Sequence, residues 1–224
     1  MTSLLLRSRS GRARRRSRPY GLLALIVNLW FLCAAPALAQ AVTLLAVGDS
    51  LTAGYGLAQT DSFTTQLERA LRGAGADVRV INSGVSGDTS AGGRARLAWS
   101  LSEKPDAVMI ELGANDGLRG LDPAETEANL DAMIVEVKKQ GLPVLLTGML
   151  APPNLGTDYG TEFNGLYPRL AKKHGVLFYP FFLEGVAAVP ALNQSDAIHP
   201  NAAGVAEIVK RILPSVRKLI GEVR

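Results

Sequence analysis

Short apolar segments alternate with helix-like patterns along most of the chain, and this alternation constrains the fold more than any other feature. The segments predict strands at 42–47, 77–81, 106–112, 143–146 and 176–179. The third is apolar almost throughout, as expected of a strand buried on both faces. Strands separated by helices form a parallel sheet with helices on both sides. The sequence therefore predicts an α/β domain with a doubly wound sheet of five parallel strands.

Residues between the strands carry signals for helix ends. Asp122 and Pro123 are typical of an N-cap and a first helical residue, and Gly141 predicts the end of that helix. The segment 149–160 predicts a long loop before a helix that ends at His174. Glycines in the segment 113–123 predict a mobile loop.

The first 39 residues differ in composition from the rest. They contain seven arginines, no lysine and no acidic residue, and an uncharged apolar run covers 21–35. Ala37 and Ala39 form a small-residue cleavage site before Gln40, which predicts a signal peptide over 1–39 and a single domain over 40–224. The alternative is a membrane anchor, although the run is shorter than the ~20 residues that a spanning helix needs. Cleavage predicts a periplasmic or secreted protein without a membrane span.

The positive charge of the chain comes from this leader. The whole chain has a net charge of +4, whereas residues 40–224 hold 17 basic and 20 acidic residues, a net charge of −3. No basic surface is then available for nucleic acid, and no nucleic-acid partner is expected. The only cysteine is Cys33 in the leader, so the domain is expected to contain no disulfide.

Polar residues follow four of the five predicted strands. They lie in the segments 48–51, 83–89, 113–116 and 196–200. The carboxyl ends of parallel strands meet at one edge of the sheet, where ligands bind in folds of this kind. We therefore expect these residues to form one site.

Ser50 is a candidate nucleophile, because a serine after a tight turn can present its hydroxyl to a cleft; the alternative is a turn or capping residue. A serine needs a base, and the only histidines are His174 and His199. His199 follows Asp196 by three residues, so a carboxylate can hold one ring nitrogen while the other faces the serine. His174 precedes Gly175 and is expected to interact with a helix end at the opposite edge of the sheet.

Three groups are candidate donors to an oxyanion. They are the side-chain amide of Asn115 and the backbone N–H groups of Gly87 and Ser50. The structural alternatives are a loop-stabilising turn at Asn115 and a positive φ at Gly87.

Three aspartates leave a second hypothesis open. Asp49, Asp88 and Asp116 all follow predicted strands, and Mg²⁺ sites gather acids at such positions. A metal site would, however, make no use of the spacing between Asp196 and His199.

The same segments, taken in order, resemble the motif blocks of the SGNH (GDSL) hydrolases. The blocks are GDSL at 48–51, Gly87, GAND at 113–116 and the pair Asp196 and His199. The longer strings SGDTS at 86–90, ELGANDGLRG at 111–120 and IHPN at 198–201 are similar to the bacterial periplasmic acyl-CoA thioesterase I, lysophospholipase and arylesterase subgroup. The resemblance covers Leu44 to about Lys218, nearly the whole predicted domain. One departure is the Gly-Ala pair before Asn115, where relatives often have Gly-Gly.

This resemblance implies a three-layer α/β/α, flavodoxin-like sheet that uses no cofactor and no metal. It implies that Ser50, His199 and Asp196 form the catalytic triad, with Ser50, Gly87 and Asn115 as oxyanion donors. The expected protein is an exported serine esterase that acts through an acyl-enzyme on small acyl esters or thioesters, including aryl esters and lysophospholipids. A Mg²⁺-dependent phosphohydrolase and a non-catalytic binding module remain alternatives, because one fold hosts many functions.

Overall fold

Five parallel strands form one sheet in the computed structural model, which describes residues 41–223. The strands are β1 (Val42–Gly48), β2 (Val78–Gly84), β3 (Ala107–Glu111), β4 (Val144–Thr147) and β5 (Leu177–Tyr179). Their spatial order is β2-β1-β3-β4-β5, and every neighbouring pair is parallel. This is the flavodoxin-like order, so the predicted fold class is confirmed.

Seven helices connect and flank the strands. They are α1 (Ser50–Ala53), α2 (Phe63–Gly73), α3 (Ser90–Leu101), α4 (Ala114–Leu118), α5 (Pro123–Lys139), α6 (Thr157–His174) and α7 (Ala202–Ile220). Helix α2 packs against α7, whereas α5 packs against α3 and α6. Right-handed crossovers place these two groups on opposite faces of the sheet, which produces the three layers.

The central strands form the middle of the core. Every side chain of β3 and β4 is buried, as is each residue of β1 after Val42. Such strands show continuous apolar segments in the sequence because helices cover both of their faces. The strand order reverses between β1 and β3, and the carboxyl edge at this point is where a ligand site is expected.

Two segments differ from the prediction. Strand β2 continues to Gly84, three residues beyond the predicted end, because it pairs with the whole of β1 at the edge of the sheet. The segment 113–123, predicted as a loop, contains the short helix α4.

The helix after β4 also begins earlier than predicted. Helix α6 begins at Thr157, within the segment predicted as a loop, and a short 3-10 turn precedes it at Pro153–Leu155. The N-cap at Asp122 and the helix end at His174 are as predicted.

The predicted signal peptide lies outside the described residues, so its cleavage and the domain boundary at Gln40 remain predictions. None of the helices between residues 41 and 223 combines the length and the apolar character that a membrane span requires.

Candidate active site

Ser50 is the first residue of α1 and directly follows the turn at the end of β1. The carboxylate of Asp49 caps this helix, because its Oδ1 accepts from the backbone N–H of Leu51 at 2.9 Å. The turn requires glycine at position 48: a Cβ there would lie 2.1 Å from Thr52 Oγ1 and 2.6 Å from Glu111 Oε2. Close packing of the turn against β3 therefore fixes the position of the serine hydroxyl.

The structure brings Ser50, His199 and Asp196 together in series. His199 Nε2 lies 2.9 Å from Ser50 Oγ, and His199 Nδ1 lies 2.7 Å from Asp196 Oδ2. Both distances are within hydrogen-bond reach. If Nδ1 carries the proton and donates it to Asp196, Nε2 is left as the acceptor for the serine hydroxyl.

The loop before α7 holds Asp196 in place. Asp196 Oδ1 accepts from the backbone N–H groups of Ile198 and His199, each at 3.0 Å. Hydrogen bonds from the backbone and then the side chain of His199, followed by the Ile198 N–H, lower the pKa of Asp196 to about 2. Asp196 is therefore ionised under ordinary assay conditions.

Tyr55 contacts the imidazole from another side. Its ring centroid lies 4.6 Å from that of His199, with an angle of 39° between the planes. The residue lies just after α1, and its backbone carbonyl accepts from the Gln194 side chain. The sequence alone does not predict this contact, since the only local signal is an aromatic residue between two glycines.

Asn115 lies on α4, with its side-chain amide directed at two acceptors. Asn115 Nδ2 donates to the backbone carbonyl of Asp88 at 2.9 Å and to Asp49 Oδ2 at 3.2 Å. The amide is therefore held beside the turn that carries Ser50. Gly113 begins this segment with φ +110°, and a Cβ there would lie 2.0 Å from the Tyr167 hydroxyl oxygen.

The two predicted backbone donors are unused by the protein itself. Within residues 41–223, neither the Ser50 nor the Gly87 N–H donates to a protein group. Gly87 has φ +85°, in agreement with the positive φ that was the structural alternative for this glycine. Its carbonyl accepts from Arg119 at 2.8 Å. Both residues lie at the carboxyl edge of the sheet.

Arg96, on α3, joins the loops that follow β1 and β2. Its guanidinium donates to the carbonyls of Gly48 and Ser83, both at 2.8 Å, and to Asp88 Oδ2 at 2.6 Å. The sequence does not predict this role for Arg96, because an arginine within a helix has no distinctive pattern.

Two buried carboxyl groups, those of Asp49 and Glu111, lie beneath the nucleophile. Glu111 Oε2 accepts from the Thr52 hydroxyl at 2.7 Å and from the Asp49 N–H at 3.4 Å. Burial raises the pKa of Asp49 to about 6. Burial, and then the charge of Asp49, raise the pKa of Glu111 well above its usual value. The pair therefore favours a single negative charge.

An apolar pocket of about 520 Å³ opens beside Ser50 and His199. Its apolar lining includes Leu118, Met149, Leu150, Pro152, Phe181, Leu183 and Ile198. Leu118 and Leu150 are about half exposed at its rim. The segment predicted as a mobile loop thus contributes Ala114, Asn115 and Leu118 to one wall, and its mobility remains a prediction.

The three aspartates of the metal hypothesis have separate partners. Asp88 pairs with Arg96, and Asp116 accepts from the Ser90 N–H and hydroxyl at 2.8 and 2.5 Å. Among the residues that the structure describes, no group of three or more Asp, Glu, His or Cys side chains could hold a metal ion. The geometry therefore offers no support for the Mg²⁺ hypothesis.

His174 lies outside this arrangement and contacts a different carboxylate. It is the last residue of α6, and its Nε2 lies 2.6 Å from Asp131 Oδ1 on α5. The sequence suggested an interaction with the helix end, but the side chain instead pairs with a carboxylate on the neighbouring helix.

A serine hydroxyl with an imidazole acceptor and a carboxylate behind it is the arrangement that serine hydrolases use to attack acyl groups. The flavodoxin-like fold and this site together define the class.

The chain belongs to the GDSL-like lipase/acylhydrolase family, whose model matches residues 46–206. Esterase TesA of Pseudomonas aeruginosa is 43% identical over 183 residues, which cover 81% of this chain and 91% of that protein. Arylesterase of Vibrio mimicus is 42% identical, covering 80% and 90%. Thioesterase 1/protease 1/lysophospholipase L1 of Escherichia coli K12 is 41% identical, covering 73% and 77%.

A solved structure agrees with these relationships. The SGNH-hydrolase family esterase AlinE4 is 48% identical, with a TM-score of 0.69 over 80% of this chain and 96% of that one. The resemblance found in the sequence is therefore confirmed, and the protein is a serine ester hydrolase.

Proposed function

We propose that the protein is an exported esterase that cleaves carboxylic esters and thioesters through the triad of Ser50, His199 and Asp196. Ser50 attacks the acyl carbonyl as His199 Nε2 takes its proton, and the leaving alcohol or thiol departs with that proton. Water activated by His199 then hydrolyses the acyl-enzyme. The observation that carries the proposal is the 2.9 Å contact between Ser50 Oγ and His199 Nε2, because a neutral serine needs a base within reach.

The oxyanion forms where the carbonyl oxygen of the substrate gains negative charge. We assign its stabilisation to the Ser50 and Gly87 N–H groups and to the Asn115 amide. Support comes from the two unused N–H groups at the same sheet edge and from the position of Asn115 beside the Ser50 turn.

The apolar pocket supports an acyl group with an apolar chain as the substrate's main binding element. The relatives are named for aryl esters, thioesters and lysophospholipids, and these classes share the reacting carbonyl. We propose that the protein accepts all three, since the chemistry at Ser50 does not depend on the leaving group.

Labelling by a fluorophosphonate tests the nucleophile. We expect one adduct per chain on Ser50, found by mass spectrometry of the digested protein, because the probe phosphonylates only an activated serine. The Ser50→Ala variant should take up no label, and a chelator should change neither labelling nor ester hydrolysis. A folded protein without an adduct would favour the binding-module alternative, and loss of hydrolysis with chelator would favour the metal hypothesis.

Export is proposed from the composition of residues 1–39. Ala37 and Ala39 before Gln40 are typical of signal-peptide cleavage. We therefore expect Edman sequencing of the exported protein to begin at Gln40. An exported protein that still carries the intact arginine cluster would instead support a retained membrane anchor.

A further inference from the structure

Asp49 lies between the nucleophile and the oxyanion amide, and the reaction proposed above makes no use of its carboxylate. The side chain is fully buried. Its two oxygens serve different partners: Oδ1 accepts from the Leu51 N–H at 2.9 Å, and Oδ2 accepts from Asn115 Nδ2 at 3.2 Å. One carboxylate thus contacts both the helix that begins with Ser50 and the residue that would bind the oxyanion.

The two contacts come from elements that are far apart in the sequence. Leu51 belongs to α1, after β1, whereas Asn115 belongs to α4, after β3. The amide of Asn115 has a second acceptor in the Asp88 carbonyl, at 2.9 Å. Two acceptors on different elements fix the plane of the amide, whereas a single acceptor would leave it free to rotate.

We propose that Asp49 is a positioning residue, whose carboxylate joins the Ser50 helix to the Asn115 amide and so fixes the oxyanion donor relative to the nucleophile. The inference rests on the function proposed for Ser50 and Asn115. It explains why a carboxylate occupies this buried position, because each contact needs its own acceptor oxygen. Asparagine and serine offer one acceptor oxygen each and cannot serve both contacts in the same geometry.

Burial raises the pKa of Asp49 to about 6, so its carboxylate is ionised at neutral pH and above and can act as the acceptor. Burial raises the pKa of Glu111, the adjacent buried acid, well above its usual value, which disfavours a second negative charge beside Asp49. The positive charge that develops on His199 during attack lowers the pKa of Asp49. The carboxylate therefore keeps both oxygens available as acceptors when the oxyanion forms.

The test is a double-mutant cycle with p-nitrophenyl acetate as the substrate. We expect Asp49→Asn to lower kcat by about 10- to 100-fold with little change in KM, as misplacement of a catalytic group does. In the Asn115→Ala background the same substitution should have no further effect on kcat, because the residue through which Asp49 acts is gone. Asp106→Asn is the matched control: Asp106 also accepts from a backbone N–H, that of Thr43 at 2.7 Å, but directly precedes β3 at the amino edge of the sheet, and its kcat should stay within about twofold of wild type.

A second variant separates positioning from folding. Asp49→Ser retains a good N-cap for the Leu51 N–H but is too short to reach Asn115. It should therefore keep a native circular dichroism spectrum while losing kcat as Asp49→Asn does. The ¹⁵N–¹H resonances of the Asn115 side chain should also shift in both Asp49 variants.

Several outcomes would overturn the inference. Equal losses of kcat in the wild-type and Asn115→Ala backgrounds would show that Asp49 acts on the fold and not on Asn115. An increase in kcat in Asp49→Asn would show that the carboxylate competes with the oxyanion for the amide. If Asn115→Ala itself leaves kcat unchanged, the proposed oxyanion donor fails instead, which distinguishes the two failures.

Discussion

Replacing His199 by alanine is expected to abolish ester turnover, whereas the same substitution at His174 should leave turnover close to wild type. His199 Nε2 lies 2.9 Å from Ser50 Oγ, so its removal leaves the serine without a base. Losses on the order of 10⁴-fold or more are typical of such a change. His174 instead contacts Asp131 and ends α6 just before β5, which places it at the amino edge of the sheet, opposite to the edge that carries the serine.

Initial rates with p-nitrophenyl acetate measure the difference between the two variants, and circular dichroism checks that both are folded. Each substitution removes one imidazole and one contact with an aspartate, so they form a matched pair. His174→Ala should lose some stability, since the Asp131 carboxylate loses one of its partners. A folded but inactive His174→Ala beside an active His199→Ala would overturn the proposed triad.

The strands that could be predicted from the sequence are those buried on both faces. Strands β3 and β4 are covered by helices on both faces, and their sequences are continuously apolar for that reason. Strand β2 lies at the edge of the sheet, with Asn82 exposed. Its last three residues are polar or glycine, and an apolar pattern could not reveal that they pair with β1.

Helix α4 could not be predicted for a different reason. Its five residues include Asn115 and Gly117, which favour loops in isolation. The helix begins after Gly113, where the left-handed conformation and the close approach of Tyr167 depend on contacts with a distant part of the chain. Tertiary packing, which a local pattern cannot report, determines the structure here.

The candidate site also has a part that the sequence predicts and a part that only tertiary packing determines. Residue types and their order along the strand ends pointed to Ser50, Asp196 and His199, because parallel topology brings those segments to one edge. The contact between Asp49 and Asn115 joins residues 66 positions apart. Neither that contact nor the stacking of Tyr55 on His199 has a sequence signature, since each depends on the exact placement of two elements.

The second large effect is expected at Asn115. Asn115→Ala should lower kcat by on the order of 10²–10³-fold with little change in KM, because an oxyanion donor acts mainly on the charge that develops in the transition state. The amide lies beside the Ser50 turn, where its two N–H groups donate to the Asp88 carbonyl at 2.9 Å and to Asp49 at 3.2 Å. The oxyanion would therefore share the N–H of the longer contact, the one with Asp49, as a three-centre hydrogen bond. Steady-state kinetics on p-nitrophenyl esters separate kcat from KM.

Asn129→Ala is the control for this substitution. Asn129 is a partly buried asparagine whose amide donates to Ser90 Oγ at 3.2 Å, so its truncation costs a similar hydrogen bond away from the serine. Its kcat should stay near wild type.

If Asn115→Ala raised KM at constant kcat, Asn115 would bind the substrate's ground state and not the oxyanion, and the two backbone N–H groups would have to stabilise the charge alone. Fluorophosphonate labelling distinguishes these cases further: loss of an oxyanion donor slows formation of the tetrahedral phosphonyl adduct, whereas loss of an acyl contact lowers the affinity for the probe.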